Sequence, residues 1–451
     1  MKTENSFQML IDDPLIALYT KTERFDSAVV ISADCFASLI QAFSDAADVH
    51  SAMRCERIIA KSETANYEKH DQTFLMLTDS HFRKQQRYGL SHDAIKHKIV
   101  NSFHATLPID LVGLMFTRKN ICPLKRSAGD ESVVDLAEII SLIHLNSFAK
   151  SIARFHTYGT RFNILGEGAR FRTAFSLEDE VIRKYQAGIL FWIQKLKLSH
   201  LCFFDYEKFL EERLSVENRD NRKHCYEKAL CLYNKRIAPL LQFSNMNLCL
   251  KKAIQQDPVT DSLNPRNNFV PLWDSIKHSI SYPSLTDYAL AHGLEYETLY
   301  RRIFQDILKK KTSAEDERLR QFVLQHSWSA AVEHNAQILG DVYAQIDTAM
   351  LVQPFAFRTT VNPKPNSEQI GIYTGRETSS RVQPWHGMAY LTVRGATTLV
   401  STVLTKFEIE SKGGVPVHID SKSHPAFFYA SPEAVSILRK TTPLSVSMCT
   451  R

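Results

Sequence analysis

The chain has 451 residues, of which 44% are hydrophobic, 10% aromatic and 23% charged, which excludes disordered, collagen-like and coiled-coil classes. Lys and Arg number 55 against 49 Asp and Glu, and a net charge of +6 spread over this length leaves no footprint for nucleic acid. Only 15 glycines count against glycine-rich phosphate loops, and the length suits two or three domains, or one large α/β unit, without disulfide or metal staples.

Residues 1–95 read mainly as helix with short breaks, Leu39, Ile40 and Phe43 sharing one face. Asp12 and Asp13 stand where a signal peptide would be apolar, and the densest apolar stretch, Ala187–Ile193, is too short to span a bilayer. A cytoplasmic protein with no membrane partner is expected. A helix ending near Phe103 leads into Ile109–Phe116, an apolar run that fits a strand buried on both faces of a parallel sheet. Residues 132–154 read as an amphipathic helix, Arg161–Leu165 as a strand with a turn at 166–168, and about Leu177–Leu198 as helix. Residues 205–260 are charged and helical, 257–270 loop-like, and 284–350 helical, with Thr312 and Glu315 as a capping box. Strands follow at Phe355–Val361, Ile370–Tyr373, Met388–Val393, Thr397–Leu404 and Phe427–Tyr429. The fold expected is α/β: a mixed, largely parallel, Rossmann-like sheet with flanking helices, completed by the C-terminal strands. A helical N-terminal region at 1–95 precedes an α/β catalytic domain at 96–451, with a helical insertion at about 205–260.

Several familiar motifs fail. Gly166-Glu-Gly168 opens like GxGxxG, but Phe171 occupies the third glycine position. His92 and His97 are five apart and miss the i, i+4 spacing of helical metal ligands, so they read as exposed helix residues. Ser147–Lys150 matches SxxK, a pattern common by chance. His418 and Asp420 match the HxD of non-haem iron sites, but only His424 follows, four residues on, so no metal site is expected. Lys309–Lys311, with no interleaved aromatic residue, reads as a solvated helix face. The eight cysteines form no CxxC pair, and most of them read as buried small hydrophobes.

What remains is a set of polar residues at expected strand ends. Lys119 and Asn120 follow the first buried strand, and Asp135 and Glu138 share one side of the next helix. Glu167 sits in the turn after the second strand, with Arg170 and Arg172 close behind. Arg358 begins the C-terminal strands, and Trp385-His386 follow Pro384. Together they supply cations for an anion, carboxylates for an ammonium and a histidine for proton transfer.

From Ser102 to Ser431 these segments resemble, in order, the isocyanide (isonitrile) synthase family, which includes the fungal dityrosine spore-wall enzyme. LPIDLVGLMFTRKN (107–120) is similar to the family's Phe-Pro-x-Lys-Ser-Pro-Asn-like run, and Asp135-Leu-Ala-Glu138 to its Asp-x-x-Glu helix start. TRFNILGEGARF (160–171) resembles the strand and Ser-Asp-Gly turn, and FRTTVNP (357–363) the Arg-Leu-Ser-Ile-His-Pro segment. PWHGMAYL (384–391) matches Pro-Trp-His, and HPAFFYASP (424–432) the Pro-Tyr-Phe-Phe stretch. Glu167 replaces the turn aspartate, Thr173 stands where a further acid is expected, and Asn362 replaces the histidine before proline.

The resemblance implies condensation of the α-amine of tyrosine or tryptophan with ribulose 5-phosphate to give an isocyanide, within secondary-metabolite biosynthesis. It implies no metal or organic cofactor, and a downstream Fe(II)/2-oxoglutarate oxygenase as pathway partner. Lys119 and Arg358 would bind the phosphate or carboxylate, with Asn120 beside them, and Trp385 would pack on the substrate. Glu167 and Asp135 would hold the amine or move protons, His386 would be general acid/base, and Glu138 would contact substrate or support Lys119. The altered positions leave two rivals: a homologue with another amine substrate, and one that binds a sugar phosphate or amino acid without turnover.

Overall fold

The computed structural model describes residues 29–83, 91–116, 133–175, 178–237, 333, 336–338, 340–361, 369–373, 383–404, 406–419, 427–440 and 444–447. The first strand, β1 (Val29–Ile31), leads to the helices α1 (Ala33–Ala65), α2 (Lys69–Leu77) and α3 (His92–His104). The apolar run then forms β2 (Ile109–Met115), buried almost throughout because it lies inside a parallel sheet. Alternation follows: α4 (Leu136–Ala153), β3 (Thr160–Gly166), α5 (Asp179–Lys195) and β4 (Leu201–Asp205). After β4 come α6 (Tyr206–Arg213) and α7 (Val216–Ile237), and the chain is next described as helix at 333, 336–338 and 340–343. A short α8 (Thr348–Val352) feeds β5 (Phe357–Thr360) and then β6 (Gln369–Gly371).

These strands form a five-stranded sheet in the order β4-β3-β2-β5-β6, every neighbouring pair parallel. The chain winds outward from β2 to β4, then returns to lay β5 on the other side of β2. The order therefore reverses between β2 and β5, and in such sheets the crevice beyond the carboxyl ends at that reversal is where ligands bind. Phe162 and Ile164 pack on one face with residues of α4 and α5. Val112 and Leu165 pack on the other with Tyr206, Phe209 and Leu210 of α6 and Ala349 of α8.

The remaining strands build a second sheet instead of completing the first. They are β7 (Met388–Arg394), β8 (Thr398–Leu404), β9 (Val415–Ile419), β10 (Phe428–Ala430) and β11 (Val446–Ser447), with α9 (Lys406–Ser411) and α10 (Pro432–Lys440) between them. Their order is β1-β9-β10-β7-β8-β11, with parallel and antiparallel pairs mixed. The β7–β8 hairpin turns at Gly395, whose φ of +63° suits glycine.

The helix α4 touches strands of both sheets and α1. Every residue from Leu136 to Leu145 is buried, so this helix has no solvent stripe and is not amphipathic as the sequence pattern suggested. A helix apolar on all sides belongs in an interior. Each large aliphatic side chain it buries contributes roughly 1.5–3 kcal/mol. The SxxK residues serve this packing: Ser147 donates to the Ala47 carbonyl and Lys150 pairs with Asp48, both on α1. The expected capping box at Thr312 and Glu315 and the triplet Lys309–Lys311 lie outside the described residues.

Candidate active site

Gly166 ends β3 against the Phe203 ring of β4; an added Cβ would come within 2.7 Å of the tip of that ring, which would have to shift. The next residue, Glu167, therefore starts at the carboxyl edge of the sheet. Its carboxylate accepts a hydrogen bond from Arg170 Nη1 at 2.5 Å. The Arg170 side chain is only 5% exposed and its Nη2 pairs with Asp341. The guanidinium lies over the rings of Phe171 and Tyr206, 4.9 and 4.8 Å from their centroids.

Asp341 collects three donors. Besides Arg170, the Tyr206 hydroxyl donates to it at 2.5 Å and Arg222 Nε at 2.5 Å. The other two Arg222 nitrogens donate to Glu207 at 2.7 and 2.8 Å in a bidentate fork. Burial would raise the Asp341 carboxyl, but the two arginines and the Tyr206 hydroxyl outweigh it and hold it below its ordinary value. Glu167 goes the other way: burial pushes it up, the charge on Asp341 adds to that, and Arg170 and Arg358 oppose it without prevailing. Burial also raises the Tyr206 phenol, which keeps its proton.

Local sequence explains this convergence. Tyr206 and Glu207 open α6, whose N-cap Asp205 accepts from the Lys208 backbone. On α7, Arg219, Arg222, Lys223 and Tyr226 fall at i, i+3, i+4 and i+7 and line one cavity of about 280 Å³, with Arg170, Thr173 and Asp341 on its walls. Gly340 lets its helix approach α7; a Cβ there would meet Tyr226 backbone at 3.0 Å.

At the reversal point, Phe116 follows β2 with a φ of +52°, a left-handed conformation that a bulky residue rarely adopts. Its buried ring packs on Trp385, centroids 4.9 Å apart. Trp385 lies in the short 3-10 turn Pro384–His386. Arg358 is half-buried on β5, in register with Val112 of β2 and near enough to act on the Glu167 charge.

Asp135 and Glu138 form a capping box at the start of α4. Asp135 accepts from the Ala137 backbone at 2.9 Å, and Glu138 Oε2 accepts from the Asp135 backbone at 2.9 Å. Glu138 Oε1 accepts from the Tyr185 hydroxyl at 2.8 Å. A helix that follows a parallel strand starts at the carboxyl edge, so this turn faces the same side as Glu167.

Of the residues singled out from sequence, the structure thus brings Arg358 within electrostatic range of Glu167, and Trp385 against Phe116 at the end of β2. Lys119, Asn120, Asn362 and the His386 side chain lie outside the described residues. His92 and His97 are exposed on α3; His418 is buried on β9, while Asp420 and His424 lie outside the described residues. Among the described residues no three His, Cys, Asp or Glu side chains gather to hold a metal, and no helix is long and apolar enough to cross a membrane. Sequence reading missed Asp341, Tyr206 and the cationic face of α7. The spacing of Arg219, Arg222, Lys223 and Tyr226 was the available signal for the last.

Residues 99–265, from α3 through α7 and beyond, match the family model described as pyoverdine/dityrosine biosynthesis protein. An L-tyrosine isonitrile synthase of Pseudomonas aeruginosa is 23% identical over 296 residues, 65% of this chain and 72% of that protein. An L-tyrosine isonitrile synthase of Xenorhabdus nematophila is 25% identical over 158 residues, 35% of this chain and 46% of that protein. The crystal structure of the PvcA protein from Pseudomonas aeruginosa aligns with 81% of this chain and all of its own, at 18% identity and a TM-score of 0.49.

Proposed function

We propose that this chain, a divergent member of the pyoverdine/dityrosine biosynthesis family, is an isonitrile synthase. It joins the α-amine of an aromatic amino acid, tyrosine or tryptophan, to a carbon of ribulose 5-phosphate in the making of a secondary metabolite. The observation that carries this reading is the unequal carboxylate pair at the carboxyl edge: Glu167 raised, Asp341 lowered, both on Arg170. Two carboxyls pushed apart in this way divide labour, one moving a proton and the other staying charged. Condensation of an amine with a ketone first needs the ammonium deprotonated, then a proton delivered to the departing oxygen. Glu167 suits both steps, and His386 is the second carrier.

Arg358, with Lys119 and Asn120, binds an anionic end of the substrates. Trp385, backed by Phe116, forms the apolar side of the crevice. We assign Asp135 and Glu138 to holding the first turn of α4 at the site's edge. The reaction as proposed calls on no metal or organic cofactor, and its isonitrile would pass to an Fe(II)/2-oxoglutarate oxygenase.

Incubation with ribulose 5-phosphate labelled with ¹³C at C2 and each amino acid in turn tests this. A labelled isonitrile from tyrosine or tryptophan is the expected product; no isonitrile from any amino acid overturns the reading. Asn362 and Thr173, standing where the family pattern has a histidine and an acid, favour a second reading, binding without turnover. That reading predicts a calorimetric signal for ribulose 5-phosphate with no product.

A further inference from the structure

The proton chemistry proposed above leaves the cavity beneath α7 unused. Four cationic side chains, Arg172, Arg219, Arg222 and Lys223, line it, joined by the buried Arg170. Its two lining carboxylates are both engaged from behind, Asp341 by Arg170 and Arg222, Glu207 by the fork of Arg222. Arg219 and Lys223 are exposed and have no carboxylate partner among the described residues. The charge of Arg222 between them is met by Glu207 and Asp341, which leaves Arg219 and Lys223 as the cations this wall presents to the cavity. The wall nearest β3 adds Thr173, a neutral hydroxyl. Most of the lining side chains are charged or polar, and cations outnumber carboxylates among them. A compact dianion with many acceptor oxygens fits it: a phosphate monoester, which matches guanidinium forks and ammonium donors.

We infer that this cavity is a phosphate-monoester subsite, in which Arg219 and Lys223 grip the dianion above Arg222, and that it receives the phosphate of the sugar-phosphate substrate. The second half of that statement rests on the isonitrile-synthase reading. The proposed reaction has two anionic ends to hold, a phosphate and a carboxylate, and the structure offers two separate cationic places. Arg358, within electrostatic range of Glu167, is then left for the amino-acid carboxylate. Arg170 stands between them, bonded to Glu167 and forming part of the cavity wall.

The double variant Arg219→Gln/Lys223→Gln tests the subsite, since both side chains are exposed and their loss spares the core. Inorganic phosphate and ribulose 5-phosphate are each titrated calorimetrically, without amino acid and at fixed ionic strength. The wild-type protein is expected to bind both, and the variant to bind both about 10- to 100-fold more weakly at an unchanged melting temperature. Equal affinity in the two proteins, or no binding of either ligand to the wild type, overturns the subsite. Binding of phosphate but not of ribulose 5-phosphate overturns its assignment to the sugar. In turnover, KM for ribulose 5-phosphate should rise by the same factor and KM for the amino acid should not move. A protein that makes isonitrile with an unaltered sugar KM in the variant loses the subsite and keeps the enzyme. One that binds both ligands through Arg219 and Lys223 yet makes no isonitrile keeps the subsite and loses the enzyme.

Discussion

Arg170 serves two carboxylates, but Asp341 has Arg222 and a tyrosine hydroxyl besides, while Glu167 must share. The consequence for stability follows from the directions of the two shifts. Asp341 is lowered, so its contribution is full above the ordinary aspartate range and is lost as pH falls through its folded value. Glu167 is raised, so its contribution is full below the ordinary glutamate range and is lost as pH rises through its folded value. The raised carboxyl should appear in the pH–rate profile of kcat/KM as a limb above the usual glutamate range. Glu167→Gln should remove that limb and lower kcat about 10²–10⁴-fold; a Gln variant with full rate and an unchanged profile would take Glu167 out of the chemistry. Asp341→Asn gives a second, independent expectation. It removes a charge that raises Glu167 and frees Arg170, so the limb should move to lower pH, at a stability cost of about 3–5 kcal/mol for breaking a buried pair. Chemical denaturation and the rate profile together measure both. Glu167 was legible in sequence because it follows a strand by one residue. Asp341 was not, because its partners come from the turn after β3, from α6 and from α7, and nothing in its own surroundings along the chain marks it.

The start of α4 is where an element, not a lone side chain, reaches the site. The Asp135 side chain satisfies a backbone donor of the first turn, so Asp135→Ala should cost about 1 kcal/mol, and Asp135→Asn, which still caps, a few tenths. A kcat loss in the Asn variant well below its melting temperature would return Asp135 to proton transfer. The packing of α7 on the helix bearing Asp341 is the second such place. Gly340→Ala puts a Cβ against Tyr226 backbone, which cannot yield as a side-chain tip can. The helices must part, at a cost of about 1–3 kcal/mol, and the Arg222–Asp341 contact should loosen. A lowered melting temperature with a raised KM for ribulose 5-phosphate is expected; unchanged values of both would show that the crossing is not tight. The long elements, β2, β3, α5 and the β7–β8 hairpin, were readable from apolar runs and alternation. Among the short ones, β5, β6 and β10 were read from their apolar residues, while β1, β4, β9 and β11 were not, since two to five residues are too few for a period to show. The helix α4 misled differently, since a helix apolar all round contains a plausible stripe whichever face is chosen.

At the scale of the molecule, the winding order of the first sheet decides which distant residues meet. Outward winding through β4 and return at β5 bring Glu167, Tyr206, Asp341 and Arg358 to one region, although they are scattered between positions 167 and 358. A parallel sheet was readable from the buried run at Ile109–Phe116, but the return at β5 was not, because strand order depends on long crossovers that leave no local pattern. The same scale governs electrostatics. A net charge of +6 on 451 residues gives little field to steer an anion from afar, so attraction of a sugar phosphate must be local. Exposed cations such as Arg219 and Lys223 are screened by salt, the Debye length falling from about 30 Å at 0.01 M to about 10 Å at 0.1 M. The half-buried Arg358 is screened less. Raising salt over that range should therefore raise KM for ribulose 5-phosphate several-fold and leave KM for the amino acid nearly constant. In Arg219→Gln/Lys223→Gln the salt dependence of the sugar KM should largely vanish, because the charges that carried it are gone. Steady-state kinetics at matched pH across the salt series reads both slopes. A dependence that survives intact in the double variant would locate the attraction elsewhere on the surface, and parallel slopes for both substrates would assign it to the whole molecule's field.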